Sequence, residues 1–121
     1  DIYTIINDIS KEYKTVILDC VTLLVNNLMF TYEIDIDNST QDEINELEKY
    51  IKEQVEKLLI EIKKTNLYFV IVTNELGLGG VSINKLTRIY TDIIGRINQQ
   101  IATHSDEVYF VVSGIPMKIK G

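Results

Sequence analysis

At 121 residues, 45% hydrophobic and 25% charged, the chain has the size of one domain with one core and a composition that argues against disorder. Its formal net charge of −6 opposes binding to nucleic acid or to an anionic membrane, and no apolar run approaches the length of a membrane span. A lone cysteine, Cys20, excludes an internal disulfide, and a single histidine leaves no Cys/His cluster for zinc, so a reducing, cytoplasmic setting is expected.

In chain order, Ile2, Ile5, Ile6 and Ile9 recur at helical spacing and predict a leading helix. Residues 15–20 (TVILDC) form a short β-branched run, read as a buried strand that ends in an acid. Residues 21–31 (VTLLVNNLMFT) read as a helix with two asparagines on one side, and the acidic stretch 32–41 reads as a loop. A long helix follows over about 42–64: Ile44, Leu47, Ile51, Val55, Leu58, Leu59 and Ile62 form one apolar stripe. Thr40 and Glu43 make a capping box at its start, and Glu48/Lys52 and Glu53/Lys57 are i,i+4 pairs on its wet face.

Residues 67–72 (LYFVIV) predict a second buried strand, followed by the loop TNELGLGG. A third helix over about 83–103 turns Leu86, Ile89, Ile93, Ile97 and Ile101 inward, with Ser82 as its expected N-cap. Residues 107–113 (EVYFVVS) predict a third strand. Gly114-Ile115-Pro116 is the expected turn, and Met117–Lys120 a short edge strand. Val/Ile-rich strands alternating with helices indicate an α/β domain, residues 1–121, with a mostly parallel sheet and flanking helices.

In open α/β sheets ligands bind outside the carboxyl ends of the strands. Three such ends are legible: Asp19-Cys20, Thr73-Asn74-Glu75 and Ser113-Gly114. Asp19 is either a carboxylate for hydrated Mg²⁺ or an acid leaving the core for water. Thr22 either caps the next helix or faces a phosphate. Glu75 is a general base, a distant metal ligand or a solvated loop acid. The glycines of GLGG do not make a dinucleotide fingerprint, because Ser82 stands where G-x-G-x-x-G needs its third glycine. Arg88, Asp92 and Arg96 form an i, i+4, i+8 ladder, read as a solvated or subunit-facing row. Gly95 in mid-helix predicts close packing against that turn, with Asn98 a polar contact near the same surface. His104 is expected to be exposed at a helix end, and Cys20 to be a buried core thiol. The chain carries no G-x-x-x-x-G-K-[ST] and begins with Asp1, not Met, which predicts a piece of a longer polypeptide.

Three strings in register, VILDCVTLLVNNLMF, VTNELGLGGVSINKLTRIYTDIIGRINQQIA and SDEVYFVVSGIPMKIK, resemble consecutive blocks of the bifunctional adenosylcobinamide kinase / adenosylcobinamide-phosphate guanylyltransferases of cobalamin biosynthesis. The resemblance runs from about Thr15 to Lys120. It implies a phosphate-loop, RecA-like sheet, incomplete here at its N-terminus, and an enzyme that assembles as a homotrimer. The chemistry it implies is phosphorylation of adenosylcobinamide by GTP or ATP with Mg²⁺, then transfer of GMP from GTP to give adenosylcobinamide-GDP. The phosphate loop and the guanylylated histidine of that family would lie upstream, so the chain alone is expected to be inactive; the alternative is a non-catalytic binding or assembly module. Residue by residue, the resemblance makes Asp19 the Mg²⁺ or nucleotide-side acid and brings Thr22 near bound nucleotide. It makes Glu75 and Asn74 catalytic, with Glu75 orienting the substrate hydroxyl, and assigns Gly77, Gly79, Arg88 and Arg96 to nucleotide or phosphate binding. His104 falls where relatives usually have a small residue. Ser82-Ile83 replaces a common Pro-Glu pair, and Thr91 a frequent arginine.

Overall fold

The computed structural model describes residues 2–76 and 84–121. The chain runs α1 (Ile2–Glu12), β1 (Thr15–Asp19), α2 (Val21–Tyr32), a 3-10 turn (Ile36–Asn38), α3 (Gln41–Lys63), β2 (Tyr68–Val72), α4 (Lys85–His104), β3 (Val108–Val112) and β4 (Ile115–Lys120). Among the described residues no helix is long and apolar enough to cross a membrane.

The core is built mainly between helices. Val21 and Val25 of α2, Leu47, Ile51, Val55 and Leu59 of α3, and Ile93, Ile94, Ile97 and Ile101 of α4 form one buried cluster, with Ile36 from the 3-10 turn. Ile71 of β2 packs against it, and α1 lies along α3 with Ile6 buried. The α3 stripe predicts this arrangement correctly, and so does its start: Thr40 Oγ1 accepts from the Glu43 amide at 3.2 Å while the Glu43 carboxylate accepts from the Thr40 amide at 3.3 Å. Ile62 is half-buried at the end of the stripe.

Helix α4 departs from expectation in three ways. It begins at Lys85, and Asn84 is the N-cap, its side chain accepting from the Thr87 amide at 3.1 Å; Ser82 lies outside the described residues. Leu86 is exposed, because the buried face is carried by Ile93, Ile94, Ile97 and Ile101 farther along. A Cβ added at Gly95 would meet nothing within 4 Å, so no described group packs closely there.

The strands form two separate pairs. β1 and β2 are parallel, in register from Thr15↔Tyr68 to Asp19↔Val72. β3 and β4 make an antiparallel hairpin, Val112↔Ile115 next to the turn. That turn is Ser113-Gly114, not Gly114-Ile115-Pro116: both residues have positive φ (51° and 76°), as a two-residue hairpin turn of the primed type requires. Pro116 sits inside β4, which is an edge strand and tolerates it. Lys120 ties the hairpin to α4 by donating to the carbonyls of Ala102 and Thr103 at 2.8 and 3.2 Å.

The strands are not buried on both faces, contrary to their apolar sequence. Val16, Leu18, Phe69 and Ile71 lie on the helix side, but Ile17, Tyr68, Val70 and Val72 face outward, with Ile17 64% and Tyr68 67% exposed. All of β4 is exposed. Parallel strands ordinarily have both faces covered, so this open apolar face is a departure from the usual pattern of the class.

Candidate functional site

The register of β1 and β2 decides which candidate residues lie together. Because the strands are parallel and Asp19 is paired with Val72, the acid that ends β1 and the Thr73-Asn74-Glu75 segment that follows β2 emerge at the same carboxyl edge. Asp19, Asn74 and Glu75 are all exposed. Both strand ends are among those expected from the sequence, and the fold brings them together. The third end it named, Ser113-Gly114, is used instead as the hairpin turn.

Thr22 does not cap α2. The N-cap position is Cys20, without a side-chain cap bond, and the Thr22 hydroxyl lies 2.7 Å from Cys20 Sγ. Cys20 is accordingly a partly exposed thiol at a helix N-terminus, not a core residue. The Thr22 hydroxyl, then the Leu23 amide, hold its pKa below the ordinary thiol value of 9.0, because hydrogen bonds to sulfur favour the thiolate. Tyr90 of α4 donates to the Thr22 carbonyl at 3.0 Å, and burial raises its own pKa.

Asn98, one turn beyond Ile94 on α4, reaches the other strand end. Its Oδ1 accepts from the Thr73 hydroxyl at 2.6 Å, and its Nδ2 donates to the Asn74 carbonyl at 3.0 Å. The carbonyl can only accept, so this pair of bonds also settles the orientation of the Asn98 amide. From the sequence Asn98 is expected only as a polar contact near the surface of Gly95. The available signal was a polar side chain at i+4 from a buried isoleucine, on the sheet side of the helix.

Arg96 is turned elsewhere. Two helical positions from Asn98, it projects about 200° away around the axis and pairs with Glu48 of α3, which also holds Lys52 at 3.5 Å. Arg88 and Asp92 are exposed on α4. Gly77 and Gly79 lie outside the described residues. His104 is not a free helix-end residue: it is half-buried, and its Nε2 lies 3.2 Å from the Glu56 carboxylate, which also accepts from Gln100 at 2.9 Å. A cavity of about 350 Å³ lined by Ser10, Tyr13, Lys14 and Lys64 lies at the opposite, amino ends of β1 and β2, away from the strand-end acids.

Among the described residues no group of three or more His, Cys, Asp or Glu could hold a metal ion. That does not disfavour Mg²⁺, which commonly keeps several waters and uses one or two carboxylates together with substrate phosphates. An exposed aspartate at a strand's carboxyl end fits that donor set.

Comparison with known proteins gives the family of the chain. The chain is 41% identical over 107 residues to the bifunctional adenosylcobalamin biosynthesis protein CobU of Escherichia coli, which is 88% of this chain and 59% of that protein. It is 39% identical over 105 residues to the protein of the same name from Salmonella typhimurium, 87% of this chain and 58% of the relative. It is 32% identical over 108 residues to the bifunctional adenosylcobalamin biosynthesis protein CobP of Pseudomonas aeruginosa, 89% of this chain and 54% of that relative. The chain thus spans somewhat more than half the length of these relatives. The family described as cobinamide kinase / cobinamide phosphate guanyltransferase matches residues 1–119, and the chain belongs to that family.

Proposed function

We propose that this chain forms one edge of the active site of an enzyme with two activities. The first phosphorylates adenosylcobinamide with ATP or GTP; the second transfers GMP from GTP to the phosphorylated corrinoid, giving adenosylcobinamide-GDP. The observation that carries the reading is the shared carboxyl edge of β1 and β2, where Asp19 and Asn74-Glu75 emerge together. The family's two named activities supply the chemistry.

In this reading Asp19 holds Mg²⁺ through water or directly. The ion, when bound, neutralises phosphate charge. Glu75 orients the hydroxyl of the substrate's aminopropanol arm and accepts its proton as the hydroxyl oxygen bonds to the γ-phosphorus and the nucleoside diphosphate leaves. Asn74 offers an amide to the same substrate. Thr22 and the glycines Gly77 and Gly79 belong to the nucleotide side. Arg88 offsets phosphate charge, and Arg96 does so only by exchanging Glu48 for phosphate.

The sheet in this proposal is of the RecA-like phosphate-loop type, completed by polypeptide N-terminal to residue 1 that supplies the phosphate loop and the guanylylated histidine. The surface supports further covering. Ile17, Val70 and Val72 stand exposed on β1 and β2, and Val111, Ile115 and Ile119 on the hairpin. Exposed apolar side chains grouped in this way mark an interaction surface. A homotrimer and a cytoplasmic location complete the proposal. The same open face favours a second reading, a non-catalytic assembly or corrinoid-binding module.

Incubation with labelled GTP and Mg²⁺ distinguishes the two. The full-length polypeptide is expected to retain label covalently and the 121-residue chain is not; label trapped on the chain alone would contradict an upstream nucleophile, and a full-length protein that neither takes label nor phosphorylates cobinamide would leave the module reading.

A further inference from the structure

We propose that Asn98 is a positioning residue for the β2 strand-end loop: it fixes the Asn74–Glu75 peptide and so sets how Glu75 is presented. The inference rests on the role given to Glu75 above.

The β1–β2 ladder ends at Asp19↔Val72, and Thr73–Leu76 have no regular structure. Backbone polar groups beyond a ladder need other partners, and whatever satisfies them sets the path of the chain. For the Asn74 carbonyl that partner is the Asn98 side chain. Asn98 receives the Thr73 hydroxyl at 2.6 Å and donates to the Asn74 carbonyl at 3.0 Å. Because the peptide is planar, fixing the Asn74 carbonyl also fixes the Glu75 amide in the same unit, leaving Glu75 only its own soft dihedrals. The clamp is mounted rigidly: Ile94, Ile97 and Ile101, its neighbours on α4, are buried in the core cluster. Asparagine ranks well below alanine as a helix former, so its presence in the middle of α4 is explained by these two bonds and not by the helix. Tyr90, two turns earlier on α4, makes the corresponding contact to the β1 side through the Thr22 carbonyl. One helix therefore references both strand ends.

The test uses Asn98→Ala, which removes both bonds, and Thr73→Val, which removes one at an exposed position with little change of shape. In the 121-residue chain, backbone amide order parameters at Asn74–Leu76 are expected to fall in Asn98→Ala from near the rigid value of about 0.85 toward about 0.6. β2 should be unchanged and Thr73→Val intermediate. In the full-length polypeptide, Asn98→Ala is expected to lower kcat for cobinamide phosphorylation roughly ten- to hundredfold, as misplacement of a reacting group does, with nucleotide KM within about twofold. On a Glu75→Gln background the further loss should shrink to less than about twofold, since residues acting as a unit are not additive. Unchanged order parameters, or full multiplication of the two effects, would overturn the positioning role. A loosened loop together with a fully active Glu75→Gln enzyme would instead overturn the role of Glu75.

Discussion

Gly95→Ala separates what the sequence suggests from what the structure shows. A glycine in mid-helix suggests a close approach that a methyl group would spoil, and hence a destabilised variant. In the structure a Cβ at this position meets nothing within 4 Å, and among the described glycines Gly114 and Gly121 have positive φ while Gly95 does not. What remains is backbone entropy and helix propensity, which favour alanine by about 0.8–1.0 kcal/mol in a helix interior. Gly95→Ala should therefore stabilise the chain by about 1 kcal/mol. For a domain of this length that is a rise in Tm of roughly 3–6 °C. Urea unfolding followed by circular dichroism measures it, with the slope m expected to stay constant while the midpoint rises. A midpoint that falls would refute the open environment of Gly95. A stabilised chain whose full-length counterpart loses assembly would show that the approach is made by polypeptide outside this chain.

Three further outcomes follow from named contacts. Leu47 is fully buried among α2, α3 and α4, so Leu47→Ala should cost about 2–5 kcal/mol in the same unfolding assay; a loss below about 1 kcal/mol would mean the cluster is not the core. Thr22→Val removes the hydrogen bond that contributes most to lowering the Cys20 pKa. The pH midpoint of Cys20 alkylation by iodoacetamide should move upward, and an unmoved midpoint would show that the Thr22 hydroxyl does not stabilise the thiolate. The Glu107 carboxyl is held below its ordinary 4.5 first by the Tyr109 hydroxyl and then by the Lys118 charge. A depressed carboxyl stabilises the fold above its unfolded pKa and loses that contribution as pH falls through the folded one. Tyr109 resonances should thus shift on acidification below pH 4.5, and Glu107→Gln should abolish the shift; an identical titration in the variant would refute the assignment.

Local signals in the sequence carried the helices well. Thr40 and Glu43 mark the start of α3 within one residue, because a capping box is satisfied by atoms three positions apart, and the isoleucines of α4 repeat at helical spacing. Asp19 is legible for a similar reason, since it ends a short apolar run, and Glu75 because it follows another by three residues. What was not legible depends on distant partners. Apolar strands announce burial, but not that one face of β1 and β2 stands open or that β3 pairs with β4 alone among the described strands. His104 looked exposed because Glu56 lies 48 residues away. Thr22 looked like a cap because Cys20, which takes its hydroxyl, does not resemble an N-cap residue. Asn98 is the most instructive case. Its two bonds span 25 and 24 residues, and only the packing of α4 against the sheet reveals them.

If the shared carboxyl edge of β1 and β2 is part of an active site, the acid that ends β1 is needed for turnover. This is tested most directly by assaying Asp19→Asn in the full-length polypeptide for phosphorylation of cobinamide with a saturating nucleoside triphosphate and Mg²⁺. Asp19 is exposed and ends its strand, so the fold should be retained, with the unfolding midpoint unchanged. Turnover is expected to fall roughly a hundredfold or more, the scale that follows when a group that supports phosphoryl transfer is removed. Turnover within about twofold of the unaltered enzyme would contradict a place for this edge in the active site.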